Sequence, residues 1–418
     1  MTRPHLLDTR LVAWLSLAQL ISWGSVFYLF ALIMVPVEHD LGMTRAQSSL
    51  AFSLALLTEG LLAYPVGRLI DRGHERLMMT CGSLVLGICL VLHSAVTNAA
   101  GFYAVWVGLG IGMAATLYTP VFSVVTRRFP EDFRRAIITM TFLGGLASTV
   151  FIPLNAWLIA QLGWRQALLC LAALHLLLCM PLHFVWLANA PKALSVPHEN
   201  TVAGLAPTAG RKSSSLGFHL TSPPFLLLGV FVVLMMAVTA ALPAHMVNLL
   251  RENGIGEAWA IAIPASIGVL QVTGRLLLYF FEHRFDLHTA NRLIPCLIPL
   301  GLTALLVAPW LGPEWGWATL LLLFLFVLLW GMGNGMLTIV KGTAMAEYVS
   351  RDHVAALNGA LGVPLALARA AAPISLGLLW NAQAGYSHGL WLLLGLSVAG
   401  VLALSLAQRL ALRPQPPV

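Results

Sequence analysis

Residues 46–97 decide how this chain folds. They read AQSSLAFSLALLTEGLLAYPV (46–66), then GRLIDRGHER (67–76), then LMMTCGSLVLGICLVLHSAVT (77–97). A helix needs about 20 apolar residues to cross the hydrocarbon core of a bilayer, and both outer pieces reach that length. Glu59 is the only Asp, Glu, Lys or Arg in either of them. The residues between them hold Arg68, Asp71, Arg72, Glu75 and Arg76, charges that belong in water. The stretch reads as two membrane-crossing helices joined by a tight basic turn.

The same pattern fills the rest of the chain. Of its 418 residues, 59% are hydrophobic and 9% charged, against about 25% charged in soluble domains. Too little polar surface is available for a cytosolic enzyme, a secreted disulfide scaffold or a disordered chain. Twelve apolar segments are predicted to cross as helices: 11–37, 46–66, 77–97, 101–126, 136–160, 166–188, 225–249, 258–281, 291–310, 316–341, 355–380 and 387–408. Helices satisfy their own backbone hydrogen bonds, which lipid cannot do, and the period-2 alternation of a membrane β-barrel is absent.

Four matches suggest an internal repeat. Pro36 and Gly67-Arg68-Leu69 recur as Pro243 and Gly274-Arg275-Leu276. The series Gly108, Gly110, Gly112-Met113 recurs as Gly331, Gly333, Gly335-Met336, and Pro153 pairs with Pro373. The prolines Pro36 and Pro243 are expected at or near the ends of the first and seventh spans. Small residues four apart let helices approach closely, and parallel six-helix repeats are one transporter plan. The expected fold is therefore an all-α integral membrane protein of two pseudo-symmetric six-helix bundles, 1–188 and 225–418. A polar cytoplasmic linker at 189–224, carrying Gly210-Arg211-Lys212-Ser213, joins them.

The net charge of +7 raises the question of nucleic acid, but position answers it. The N-terminus, MTRPHLLDTR, leads into an apolar run too long for a signal-peptide core, so it is expected to remain as a first span. With that end in the cytoplasm, 17 of the 23 basic residues fall on cytoplasmic segments. Arg45, Arg165 and Arg251 fall outside, and Arg275, Lys341 and Arg369 lie within spans. This asymmetry predicts N- and C-termini in the cytoplasm, a multi-pass protein of the cell inner (plasma) membrane, lipid as the surroundings and no nucleic-acid partner. Trp14, Trp310, Trp315 and Trp317 are read as interface anchors. The five cysteines sit in apolar stretches without a CxxC pair. They are read as small buried residues, with no disulfide framework, metal site or cofactor.

The turn Gly67-Arg68-Leu69-Ile70-Asp71-Arg72-Gly73-His74-Glu75-Arg76 resembles the G-x-L-x-D-R-x-G-R-[KR] signature of the major facilitator superfamily. The second glycine is one position early, and Glu75 stands where a basic residue is usual. The resemblance implies that Gly67, Asp71, Arg72 and Arg76 serve a gate, with Asp71 bracing neighbouring helices in one state. Within that superfamily the chain resembles bacterial relatives of the monocarboxylate transporters and oxalate/formate exchangers. Ser22-Trp23-Gly24-Ser25-Val26-Phe27-Tyr28, Leu117-Tyr118-Thr119-Pro120 and Gln271-x-x-x-Arg275 carry the likeness. It implies that Arg275 binds a substrate carboxylate. Gln271 stands where those carriers have an acid, and the first span has no Lys, unlike that of animal members.

An ionisable group deep in a span is expensive and normally faces a cavity or a partner. Four qualify. Arg275, one turn after Gln271, offers a planar fork suited to a carboxylate. Its alternatives are pairing with Glu59 or helix-end carbonyls, or snorkelling. Lys341 corresponds to Tyr118 by the repeat offset, which places it in a cavity; by hydropathy it ends the tenth span. Asn334 shares its face. Arg369 reads as a second anion contact or as a clamp on carbonyls freed near Pro373. Glu59 reads as a proton carrier or as a salt bridge to Arg68 or to a cavity arginine. Tyr28 and Tyr118 offer cavity hydroxyls. His93, His175, His183 and His245 lack ligand-like spacing and are read as packed or hydrogen-bonded, with His245 an outer-cavity candidate. The string Gly385-Tyr386-Ser387-His388-Gly389 matches GxSxG but lacks the strand-to-helix setting of a nucleophile elbow.

Three cations against one acid point to a small anionic substrate. The expected function is secondary active transport of a small organic anion, a monocarboxylate by resemblance, by alternating access as a monomer with proton symport, and not an enzyme. An exporter of toxic or amphipathic compounds on the same fold is one alternative; a membrane ligand sensor that moves nothing is another.

Overall fold

The computed structural model describes residues 9–129, 133–188, 216–281, 286–308, 316–350 and 354–412. Eleven helical stretches are long and apolar enough to cross a membrane. One of them, Arg45–Ser94, turns back at Gly73, whose φ of 92° only glycine adopts at little cost. Among the described residues, twelve crossings result. The first runs from Thr9 to Leu41 through a π-helical turn at Trp23–Phe27, the second is Arg45–Leu69 and the third Glu75–Ser94. The fourth joins Ala99–Thr116 to Tyr118–Arg128, the fifth joins Phe133–Gly145 to Ala147–Leu162, and the sixth runs from Trp164 to Trp186. The second half holds Pro223–Glu252, Glu257–Phe281, a ninth span ending in Leu297–Val307, Gly316–Tyr348, Gly362–Leu379 and Ser387–Ala411.

Local signals set the ends. Thr44 and Gln47 form a reciprocal capping box at the start of the second span. Asn98 accepts the Gly101 N–H at 2.8 Å at the start of the fourth. Gly42 closes the first span with φ 61°. The expectation that Pro36 ends the first span is overturned: its helix continues to Leu41 with Pro36 inside, and Pro243 likewise lies inside a helix running to Glu252. Neighbouring spans shield the carbonyls that such prolines free, so membrane helices tolerate them. The apolar stretch of the tenth span ends at Lys341, while its helix continues to Tyr348. Of the predicted linker, 189–215 lies outside the described residues, and Leu216–Leu220 forms a short helix.

Outward-facing apolar side chains such as Leu177, Val363 and Leu378 form a lipid-compatible surface. Cys89 and Cys179 are buried as expected; Cys81 and Cys170 face outward instead, because helix faces turned to lipid accept small apolar groups equally well. Trp14 and Trp317 are exposed, while Trp310 and Trp315 lie outside the described residues.

The glycine series packs the fourth and tenth spans each between two neighbours. A Cβ on Gly110 would strike the Ala55 backbone of the second span, and on Gly112 it would lie 2.6 Å from Leu86 of the third. In the other half, Gly335 faces the Gln271 backbone of the eighth span and Gly333 faces Leu297 of the ninth. The halves meet along three seams. Gly60 opposes Ala366, the Thr149 hydroxyl donates to the Ala265 carbonyl at 2.6 Å, and the Asn248 amide donates to the Ala31 carbonyl at 3.0 Å. Gly335→Val is expected to cost about 1–3 kcal/mol through overpacking, read by unfolding in mixed micelles. Gly395→Val, where a side chain would meet nothing within 4 Å, is expected to change stability by less than about 0.5 kcal/mol.

Candidate functional site

Between the halves lies a cavity of about 330 Å³. All eight side chains predicted for substrate or proton chemistry line it: Tyr28, Glu59, Tyr118, Gln271, Arg275, Asn334, Lys341 and Arg369. They come from six different spans. In the first half, the cavity sits where helices break. Tyr28 follows the π turn, Tyr118 follows Leu117 with its extended backbone, and Gly144-Gly145 precede the interruption at Leu146. Side chains satisfy backbone groups at the first two of these breaks. Gln19 donates to the Thr116 carbonyl at 2.5 Å and Asn155 to the Gly24 carbonyl at 3.0 Å. The second half supplies its charges from continuous helices.

Arg275 donates from Nε to the Gly335 carbonyl at 3.3 Å and from Nη1 to the Thr141 carbonyl at 3.0 Å. These bonds tether its guanidinium between the eighth, tenth and fifth spans. The Gln271 and Asn334 amides and the Lys341 ammonium make no hydrogen bond to other described residues, and all three face the cavity. Arg369 clamps Glu59, Nη2 to Oε2 at 2.9 Å and Nη1 to Oε1 at 3.3 Å. Glu59 thus pairs with a cavity arginine rather than with Arg68, which instead lies 3.4 Å from the Tyr64 hydroxyl. Near Pro373, His245 rather than Arg369 meets the proline carbonyl, at 2.9 Å, and Ser53 accepts the Ile374 N–H.

The sequence did not single out Ser148, Thr239 or Trp330, which also line the cavity. Ser148 stands one turn beyond the Gly144-Gly145 pair, and that pair was the available signal for a break. His175 and His183 share hydrogen bonds with Ser25 and Ser83, and His93 packs against Phe102, Trp106 and Trp164. His245, an outer-cavity candidate, is buried against Tyr386 instead.

One end of the cavity is sealed. Arg45 donates from Nε to both Glu38 oxygens at 2.9 and 3.0 Å, and from Nη1 to Glu252 at 2.9 Å and to the Tyr386 hydroxyl. The Trp380 ring lies 4.8 Å from its guanidinium, and the Trp380 N–H donates to Glu252 at 2.8 Å. Glu252, Trp380 and Tyr386 belong to the second half, so this buried network ties the halves together. Tyr386 comes from the GxSxG string, in a turn closed by Gly385 with φ 53°. At the other end, a Cβ on Gly67 or Gly362 would meet nothing within 4 Å.

The basic turn lies at that end. Asp71 and Arg72 are exposed and make no ion pair among the described residues, whereas Arg76 donates to the Phe184 carbonyl at 2.7 Å. The acid that binds helices together there is Glu75, fully buried, 2.5 Å from Arg128 and 3.4 Å from Arg127. Arg128 reaches on to the Leu187 carbonyl at 3.0 Å.

The Major Facilitator Superfamily pattern matches residues 15–373. The chain belongs to that superfamily. It is a multi-pass membrane transporter for small molecules. It is 27% identical over 354 residues to monocarboxylate transporter 12-B of Danio rerio, covering 78% of this chain and 71% of the relative. It is 26% identical over 150 residues to a probable L-galactonate transporter of Escherichia coli (strain K12), of which it spans 32%. Among solved structures, the nucleoside transporter NupG superposes with a TM-score of 0.73 at 15% identity, covering 95% of this chain and 99% of that one. The xylose transporter XylE from E. coli, in a partially occluded inward-open conformation, gives 0.67 at 13% identity, covering 94% and 97%.

Removing one partner of a buried ion pair strands the other charge. Glu75→Gln is expected to destabilise the protein by about 3 kcal/mol or more and Asp71→Asn by less than about 0.5 kcal/mol, compared by thermal unfolding of the purified proteins.

Proposed function

We propose that this protein is a secondary active transporter of the cell inner membrane that moves a small organic anion, a monocarboxylate, by alternating access. It works as a monomer with both termini in the cytoplasm, a topology supported by the placement of its basic residues. The observation that carries the substrate reading is Arg275, held by the Gly335 and Thr141 carbonyls in a cavity with two further cations and one acid. Arg275 is half-buried there, so a charge-assisted, planar contact to a carboxylate is worth more than at a surface. The free amides of Gln271 and Asn334 and the hydroxyls of Tyr28 and Tyr118 orient the rest of the molecule, and Lys341 adds attraction. The named carboxylate transporters among its relatives support the same class.

In this topology the Arg45 seal is on the outer side and the cavity opens inward. Opening outward requires the seal to part and the Gly67–Arg76 turn to close against the other half, which is where Asp71, Arg72 and Arg76 act as a gate. Glu59 carries the symported proton.

A screen of organic acids for thermal stabilisation tests the reading. Arg275→Lys keeps the charge and loses the fork, and it is expected to raise Kd for the stabilising acid about tenfold or more. Uptake into proteoliposomes is expected to accelerate under an inward proton gradient; rates indifferent to pH exclude symport. A cysteine at Met246, which lines the cavity, reports the seal. With Arg45→Ala its labelling by an impermeant thiol reagent added outside intact cells is expected to rise severalfold over the same cysteine with Arg45 intact.

A further inference from the structure

Glu59 and Arg369 come from opposite halves, 310 residues apart, and meet inside the cavity as a two-pronged pair. Their side chains are 10% and 22% exposed. The second and eleventh spans come close enough for this because Gly60 faces Ala366, where a Cβ would lie 2.5 Å away. A guanidinium gripping both oxygens of one carboxylate is the geometry that a substrate carboxylate would adopt on the same arginine. Arg369 is therefore already occupied by a carboxylate of the protein. Arg275, by contrast, is bonded to backbone carbonyls, and Lys341 faces the cavity without a hydrogen-bond partner among the described residues.

We infer that Glu59 is a tethered competitor that fills Arg369 until a substrate carboxylate bridging Arg275 and Arg369 displaces it, so that Glu59 sets the affinity for anions and links their binding to proton uptake. This rests on the carboxylate reading of the site. One edge of Arg369 holds one carboxylate at a time. When the substrate takes it, the Glu59 carboxylate is left in a cavity whose excess positive charge the substrate has just reduced. Its remaining facing groups are Lys341 of the tenth span, Arg275 of the eighth, and the hydroxyls of Tyr28 and Tyr118. The displaced carboxylate then binds one proton from the open side and becomes neutral. The converse holds by linkage: protonating Glu59 first releases Arg369 and strengthens anion binding. Because the pair spans the halves, its exchange also removes a bond between the second and eleventh spans.

The test uses full-length protein in nanodiscs and the sodium salts of acetate, lactate, benzoate and gluconate, with Kd measured from neutral pH into the acidic range. In the wild type, Kd for the acids that bind is expected to fall as pH falls. Glu59→Gln, which cannot form the ion pair, is expected to bind about tenfold more tightly at neutral pH and to show a flat profile that the wild type approaches in acid. A Glu59→Gln protein that binds no more tightly than wild type, or that keeps the wild-type slope, overturns the inference. If that variant does not fold, Glu59→Asp replaces it. Asp keeps the charge on a shorter stem, so intermediate affinity with a retained slope supports the inference, and an unchanged Kd overturns it. Arg275→Lys separates the two proposals. Weaker binding in that variant without tighter binding in Glu59→Gln leaves the transport reading standing and removes this one. Failure of all four salts to bind the wild type removes both.

Discussion

Lipid offers the backbone no hydrogen-bond partner, and the rest of the structure follows from that constraint. Among the described residues every crossing is helical, and three breaks in helices of the first half lie beside the cavity. The π turn at Trp23–Phe27 and the extended Leu117 are repaired by side chains, Asn155 and Gln19. These interruptions bring Tyr28 and Tyr118 into the cavity, where uniform helices would direct side chains by period alone.

The second consequence concerns how the helices hold together. Between apolar helices in lipid there is little hydrophobic drive, so close packing of small residues and a few polar bonds must do the work. Glycines seat the fourth and tenth spans between their neighbours, and Gly60, Thr149 and Asn248 mark the seams between the halves. The two ends of the molecule then differ in kind. One is closed by Arg45, which draws ligands from both halves, while the buried Glu75 network at the other ties together only helices of the first half.

Charge is scarce in this chain, which makes each buried charge informative. The cavity residues were legible because an ionisable group inside a span has few places to go. Arg275, Arg369 and Glu59 could be found from hydropathy, Lys341 from the repeat offset, and Gln271 and Asn334 from helical spacing. Legibility stopped at pairing. Glu59 had several eligible cations, and nothing local selects Arg369, whose position is 310 residues away. Glu75 looked like a lapse in a basic signature, yet it is the buried acid at that turn. Tyr386 sat in a string that resembled a catalytic motif, yet it belongs to the seal.

The sequence by itself determined that the chain crosses the membrane twelve times, that it repeats itself, and that a handful of charges lie within the spans. Those are properties of composition and period, which act locally along each helix. Only the tertiary structure decided that the tenth span carries Lys341 into the cavity, that Arg369 holds Glu59, and that Arg45 closes one end. These depend on which helix faces come together, and that is settled by the fit of glycines and helix breaks between spans far apart in the chain.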